Sequence, residues 1–178
     1  MTYKFFSGFS LQNEKELFNE YIIENDFIVS GFSYGAIKAF EYVLKSEKRV
    51  DTLQLFSPAF FQTEDSKFKR MQLMFFKKDS KAYCDNFLQN IAYPYSFNSS
   101  NYFNQGSFEE LEELLNYKWD EEKINEVLKK GVNIEVYLGG KDKIIDSNKA
   151  IEFFKRFSTL YFIKDASHIL KIKKEIDE

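Results

Sequence analysis

The residues best suited to chemistry lie in Gly31-Phe32-Ser33-Tyr34-Gly35, a G-x-S-x-G pattern. It follows the apolar run Phe27-Ile28-Val29 and precedes a helical stripe of Ala36, Ile37, Phe40, Val43 and Leu44. In a strand–turn–helix setting the two glycines permit a turn that a Cβ would obstruct, leaving the serine protruding at the carboxyl end of a sheet. The helix that starts there also points backbone N–H groups at negative charge developing beside the serine. An ordinary strand-to-helix turn would look the same in isolation, so the reading depends on whether a base is available.

The chain holds a single histidine, His168, so a Ser–His pair has no other candidate. It follows the last apolar run, Leu160-Tyr161-Phe162-Ile163, across Lys164-Asp165-Ala166-Ser167. That position is the carboxyl end of a strand, where open α/β sheets bind ligands. The orienting acid should follow the preceding strand. Asp142, in Gly139-Gly140-Lys141-Asp142, stands 26 residues before the histidine, room for one helix and one strand. Asp146 competes, although its place before Ser147-Asn148-Lys149 suits a helix cap, and Asp165 lies after the wrong strand. Asp142 is preferred. Two backbone donors for an oxyanion are expected from Tyr34, next after the serine, and from Phe9 in the Ser7-Gly8-Phe9 loop.

These residues require positioning elements. Tyr3-Lys4-Phe5-Phe6 reads as a strand, and Asn13 with Glu16 as a capping box leading a helix through Leu17, Phe18, Tyr21 and Ile22. Phe27–Val29, Leu53–Phe56, Val132–Leu138 and Leu160–Ile163 supply further strands. A helix bearing Ile151, Phe154 and Phe157 precedes the last of them, and a charged C-terminal helix follows it. Residues 62–130 contain no good strand. Helices are expected there after Ser107-x-x-Glu110 and after Asp120, the latter carrying Ile124, Val127 and Leu128 and ending at Gly131. Alternating strands and helices predict an α/β fold of about five parallel strands with right-handed crossovers. The core then spans 1–61 and 131–178, with 62–130 inserted between the third and fourth strands as a helical lid.

Composition narrows the class. At 178 residues with 21 Phe and 11 Tyr, one domain with a ring-rich core is expected. The single Cys84 rules out an intrachain disulfide and suits burial as a small apolar group. No apolar run is long enough for a bilayer span, and the N-terminal one is too short for a signal peptide, so a cytoplasmic chain is expected. A net charge of −3 argues against bulk affinity for nucleic acid. Against that acidic background, Lys67, Lys69, Arg70, Lys77, Lys78 and Lys81 fall within fifteen residues, interleaved with Phe68, Met71, Leu73, Met74, Phe75 and Phe76. Such a run is usually a solvated helix face, but it could also be a docking patch whose apolar members line a tunnel.

The chain resembles the α/β-hydrolase superfamily, and within it the short pimeloyl-acyl-carrier-protein methyl ester esterases of biotin synthesis. The likeness lies in Phe5-Phe6-Ser7-Gly8-Phe9, in Val29 to Ala39 around Ser33, and in Leu55-Phe56-Ser57-Pro58. It continues in Phe68-Lys69-Arg70-Met71-Gln72-Leu73, in Gly131 to Val136 and in Lys141-Asp142. The stretches around Phe68 and Gly131 carry the narrower likeness. The resemblance implies a Ser33–Asp142–His168 triad and an acyl carrier protein bearing a methyl-pimeloyl chain as substrate. It implies neither metal nor organic cofactor. Carrier proteins present acidic helices, which the basic lid residues would steer and hold. The chain departs from the superfamily in having only 25 positions between Gly8 and Ser33, which leaves no room for an extra βα unit. The strand order expected is therefore 3-5-6-7-8 of the superfamily's naming. Ser7-Gly8 also stands where His-Gly is usual. Hydrolysis of other small esters or thioesters, and a catalytically inactive binding module, are the alternatives; the intact Ser, Asp and His weigh against the last.

Overall fold

A computed structural model describes residues 3–172. Five strands, β1 (Lys4–Phe6), β2 (Ile28–Phe32), β3 (Thr52–Phe56), β4 (Asn133–Gly139) and β5 (Thr159–Ile163), form one sheet in the order β1-β2-β3-β4-β5. Every neighbouring pair is parallel. Period-2 alternation sorts the side chains cleanly. Phe6, Val29, Leu53, Leu55, Ile134, Val136, Leu138 and Leu160 face one side, and Phe5, Phe32, Phe56, Tyr137 and Ile163 the other.

The first face is covered by helices. These are α1 (Tyr34–Lys45), α6 (Ser147–Phe154) and α5 (Glu121–Lys129), the last of which packs on α1 with Ile124 and Val127 buried. Three further helices, α2 (Ser66–Lys78), α3 (Ser80–Ala92) and α4 (Phe108–Asn116), lie between β3 and α5. As expected from the sequence, Ser107 and Glu110 close a reciprocal capping box on α4 and Asp120 caps α5. Gly131 follows α5 with a φ of 80°, which suits a glycine stop.

Among the described residues, the second face has no α-helix running along it. It carries an aromatic row, Phe32, Phe56, Tyr137 and Tyr161, that follows the strand register from β2 to β5. Ring centroids lie 5.1 Å apart for Phe56 and Tyr137 and 4.6 Å for Tyr137 and Tyr161. The next register row is polar: Ser30 Oγ donates to Gln54 Oε1 at 3.0 Å, and Gln54 Nε2 donates to Glu135 Oε2 at 3.0 Å. Leu88, Ile91 and Ala92 at the end of α3 complete the cover, with Ile169 and Leu170.

Two expectations about the β1–β2 connection are corrected. Its helix is a 3₁₀ segment, Glu14–Phe18, and Asn13 makes no side-chain cap, because Asn13 adopts φ 59° and ψ 14°. Glu16, which the capping box required, instead accepts from the Tyr102 hydroxyl. The connection also crosses the second face: the Phe18 ring stacks on Phe56 and lies tilted against Phe32, with centroids 4.9 Å apart in each pair. The other connections cross the first face while the chain steps in the same direction, so β1–β2 has the opposite hand to them. The cause is occupancy, since α1 already covers β1 on the first face, with Phe6 and Tyr42 rings 5.7 Å apart. The expected charged C-terminal helix falls largely on residues 173–178, outside the described residues.

Candidate active site

The turn after β2 is built by close approach. A Cβ at Gly31 would lie 2.2 Å from the Gly35 carbonyl oxygen, and one at Gly35 would lie 2.0 Å from the Phe6 carbonyl oxygen. Both distances are impossible for a side chain, so the two glycines let α1 start against β1. Ser33 between them takes φ 53° and ψ −113°. Such strain costs about 1–3 kcal/mol and persists only where the surroundings hold it. Here Ser33 N–H donates to the Phe56 carbonyl at 2.9 Å, while the Ser33 carbonyl accepts from Ala36 and Ala59 N–H, each at 3.1 Å.

The structure brings Ser33, His168 and Asp142 together. His168 Nε2 lies 3.0 Å from Ser33 Oγ, and its Nδ1 lies 2.6 Å from Asp142 Oδ2. The side chains of His168 and Asp142 are fully buried. The other Asp142 oxygen accepts from Ile144 N–H at 2.7 Å and Ile145 N–H at 3.0 Å, so the carboxylate also anchors its own turn. The loops after β4 and β5 are tied directly, Lys141 N–H donating to the Ala166 carbonyl at 2.8 Å. Asp146 caps α6 through Lys149 N–H at 3.1 Å. Asp165 is exposed, and its backbone carbonyl accepts from the Tyr95 hydroxyl at 2.6 Å.

Sequence reasoning missed Ser57. Fully buried and at φ 42°, it donates its hydroxyl to the His168 carbonyl at 2.6 Å. The histidine loop is thereby fixed to the end of β3. Nothing in the Ser57-Pro58 dipeptide beyond a strand end signals that bond.

Ser33 opens on a cavity of about 270 Å³ lined by Phe9, Phe61, Phe68, Leu111, Leu114 and Ile144, with Gln72, Tyr83, Asn86, Asn90 and Lys143 as polar members. Its roof comes from α2, α3 and α4. Tyr83 donates its hydroxyl to Gln72 Oε1 at 2.8 Å, and burial raises its ionisation above the ordinary phenol range. Tyr34, whose N–H heads α1, sends its hydroxyl to Glu113 Oε2 on α4 at 2.7 Å. Burial foremost, then that carboxylate, raises the Tyr34 hydroxyl. Phe9 lines the same cavity as Ser33, and no described group accepts its N–H. A larger groove of about 910 Å³, lined by Leu17, Tyr21, Phe97, Leu170 and Ile172, lies toward the second sheet face and does not include Ser33.

The α2 residues divide by helical period. Phe68 and Gln72 line the cavity and Phe76 is buried, whereas Met71, Met74 and Phe75 are exposed. Of the interleaved apolar residues that could line a tunnel, Met71, Met74 and Phe75 instead face outward among the cations. Lys67, Arg70, Lys77, Lys78 and Lys81 are exposed and Lys69 is half-buried. Lys81 pairs with Asp85 at 3.0 Å, and Lys77 sits over the Phe108 ring at 4.5 Å. Lys67, Lys69, Arg70 and Lys78 make no ion pair among the described residues. No group of three metal-ligating side chains is gathered among the described residues. No helix of the described residues is long and apolar enough to cross a membrane.

No family model matches the chain, and no curated protein matches it significantly. Solved structures do. A hydrolase from Bacillus subtilis aligns with a TM-score of 0.55 and 16% identity, over 83% of this chain and 55% of that one. The present chain thus spans about half of that protein's length. BioG from Haemophilus influenzae aligns with a TM-score of 0.57 and 13% identity, over 94% of this chain and 88% of that one. The esterase EaEST from Exiguobacterium antarcticum gives 0.61 and 13%, over 93% and 84%. At such identities the likeness concerns architecture. The chain has the α/β-hydrolase fold, in a reduced form of five parallel strands flanked by helices.

Proposed function

We propose that the chain is a serine carboxylic ester hydrolase with Ser33 as nucleophile, His168 as base and Asp142 as the acid that orients it. The observation that carries this reading is the continuous Ser33–His168–Asp142 hydrogen-bonded relay, set on a strained turn and opening on a largely apolar cavity. Ser33 Oγ attacks the ester carbonyl while His168 Nε2 takes its proton, and Asp142 stabilises the resulting imidazolium. The N–H groups of Tyr34 and Phe9 receive the oxyanion. Collapse expels the alcohol, protonated by His168, and leaves an acyl-enzyme. His168 then deprotonates a water that attacks the acyl carbon, releasing the carboxylate and restoring Ser33.

The substrate we propose is the methyl ester of a pimeloyl chain carried on acyl carrier protein, with methanol as the leaving alcohol. The segments around Phe68 and Gly131 support this reading, as does the fold shared with BioG over most of both chains. So does the exposed face of α2, where Lys67, Arg70 and Lys78 flank Met71 and Met74. The cations would attract an acidic carrier helix, and the two methionines would offer it an adaptable apolar contact.

The test is mass spectrometry of methyl-pimeloyl carrier protein incubated with wild type and with Ser33→Ala. Loss of the methyl group by wild type alone, with the thioester intact, is expected. Reversing charge at Lys67, Arg70 and Lys78 should raise KM for the carrier-linked ester and leave p-nitrophenyl acetate turnover unchanged. Turnover of free esters alone would refute the carrier and retain the hydrolase. Inertness to esters and to fluorophosphonate would refute both.

A further inference from the structure

The loop that supplies the Phe9 N–H is held by a buried carboxyl that the proposed mechanism does not use. Glu14 is fully buried, and its Oε1 accepts from Gly8 N–H at 2.7 Å. Its Oε2 has no hydrogen-bond partner among the described residues. Burial pushes this carboxyl's ionisation above the ordinary range; the bond from Gly8 and the neighbouring Ser7 hydroxyl offset that only in part, and no neighbouring charge contributes. A carboxyl shielded from water without a cation is costly when ionised. An apolar side chain would fill the same space more cheaply, so what the carboxyl supplies is the acceptor for Gly8.

The loop's other attachments lie further along. The Ser10 carbonyl accepts from Asn104 N–H at 3.0 Å, Ser10 Oγ accepts from Gly106 N–H at 3.1 Å, and Gln12 N–H donates to the Tyr102 carbonyl at 2.8 Å. These bonds strap residues 10–12 to the segment between α3 and α4. They leave the Gly8–Phe9 peptide, next to the cavity that Phe9 lines, without a direct tie of that kind. Its orientation follows from the Ser7–Gly8 peptide before it, whose N–H Glu14 grips, and from the turn in which Leu11 N–H donates to the Gly8 carbonyl at 3.2 Å. In front, Gly8 is pressed against Phe32, where even a Cβ would come within 2.9 Å of the ring, and that ring packs 5.1 Å from the His168 imidazole. The loop is thus clamped between Phe32 and Glu14.

We propose that Glu14 is a positioning residue for the oxyanion donor: its carboxyl grips Gly8 N–H from behind the loop and so aims Phe9 N–H at the developing oxyanion. The inference rests on the hydrolase reading of Ser33, and its test separates the two.

The experiment compares Glu14→Gln, Glu14→Met and wild type by p-nitrophenyl ester kinetics, fluorophosphonate labelling of Ser33 and amide hydrogen exchange at Gly8. Glutamine matches the shape of the carboxyl and keeps an acceptor, so kcat within about three-fold of wild type is expected. Methionine fills the volume without an acceptor. Its folded fraction should lose about ten- to hundred-fold in kcat with KM little changed, as small misplacements of catalytic geometry do, and Gly8 should exchange faster. A purely structural role would lower the melting temperature and leave the kcat of folded protein intact, which overturns the proposal. Equal losses in both variants would overturn it, because glutamine keeps the acceptor. If Glu14→Met does not fold, Glu14→Gln decides: a hundred-fold loss in folded protein overturns the proposal. A wild type inert to ester and fluorophosphonate would refute the reading of Ser33 instead. The clamp would then be judged by Gly8 exchange alone, where no change in the Glu14 variants overturns it.

Discussion

Replacing Asp142 with Asn should disable the site without unfolding the protein, and the structure says by how much. Asp142 uses both oxygens: one serves the N–H groups of Ile144 and Ile145 at 2.7 and 3.0 Å, the other faces His168 Nδ1 at 2.6 Å. Asparagine has one oxygen and one NH₂ to fill those two places. With its oxygen toward the turn it keeps both backbone bonds, and its NH₂ then faces His168 Nδ1. That nitrogen must become the acceptor, the ring proton moves to Nε2, and Ser33 Oγ at 3.0 Å meets a donor in place of a base. With the amide reversed, the competent tautomer survives, but the NH₂ confronts two N–H donors. Two unsatisfied amides cost about 1–3 kcal/mol each, so the incompetent orientation wins by roughly 2–6 kcal/mol. At about 1.4 kcal/mol per decade, kcat should fall between about thirty-fold and about twenty-thousand-fold. The assay is p-nitrophenyl acetate hydrolysis near neutral pH, paired with urea unfolding to show that stability is held. A folded Asp142→Asn protein with kcat within about three-fold of wild type would refute the argument.

Ser57→Ala removes the hydroxyl that fixes the His168 carbonyl at 2.6 Å. About 1–3 kcal/mol of stability should be lost, along with about ten-fold in kcat, and unchanged values for both in urea unfolding and steady-state kinetics would count against the role assigned to it. Gly35→Ala sets a Cβ 2.0 Å from the Phe6 carbonyl, with backbone on both sides. Because neither can yield as a side chain would, the variant should give little folded protein, and a native circular-dichroism spectrum with normal melting would contradict the close approach. Glu14 also predicts a pH dependence. A carboxyl whose ionisation is raised on folding leaves the native state binding more protons than the unfolded one, so its contribution to stability declines as pH rises above the ordinary carboxyl range. Melting temperatures from pH 4.5 to 8 should therefore fall for wild type relative to Glu14→Gln, and parallel curves would refute the burial argument.

Much of the architecture was legible because it follows from local periodicity. Val29, Leu53, Leu55, Val136 and Leu138 sit in short β-branched and apolar runs, and the sheet places all of them on the face that α1, α5 and α6 cover. The caps at Ser107 and Asp120 were legible for a similar reason, since each is a contact within four residues. Asn13 shows the limit of that reasoning. Its spacing to Glu16 fits a capping box, yet Glu14 is drawn to Gly8 and Glu16 to Tyr102. Those pulls come from residues the local pattern does not contain, and the segment tightens into a 3₁₀ turn. The exposed Met71, Met74 and Phe75 make the same point, because apolar character alone does not say which face of a helix meets the core.

For the site, residue type and chain order were enough to single out Ser33, His168 and Asp142 as candidates that the fold brings into contact, because a scarce glycine pattern, a single histidine and parallel connectivity leave few arrangements. Those features set which groups can meet at the carboxyl ends of the strands. Only the tertiary structure decided how they are held: the Ser57 hydroxyl on the His168 carbonyl, the two turn amides on Asp142, the Glu14 carboxyl beneath Gly8 and the crossing of the β1–β2 connection over the second face. One of these bonds, from Ser57 to His168, joins residues far apart in the chain, the other three close short loops whose shape the rest of the fold imposes, and the crossing depends on which sheet face α1 has already filled. Hydropathy and spacing record what each residue prefers; which partner it finds is settled when the layers close.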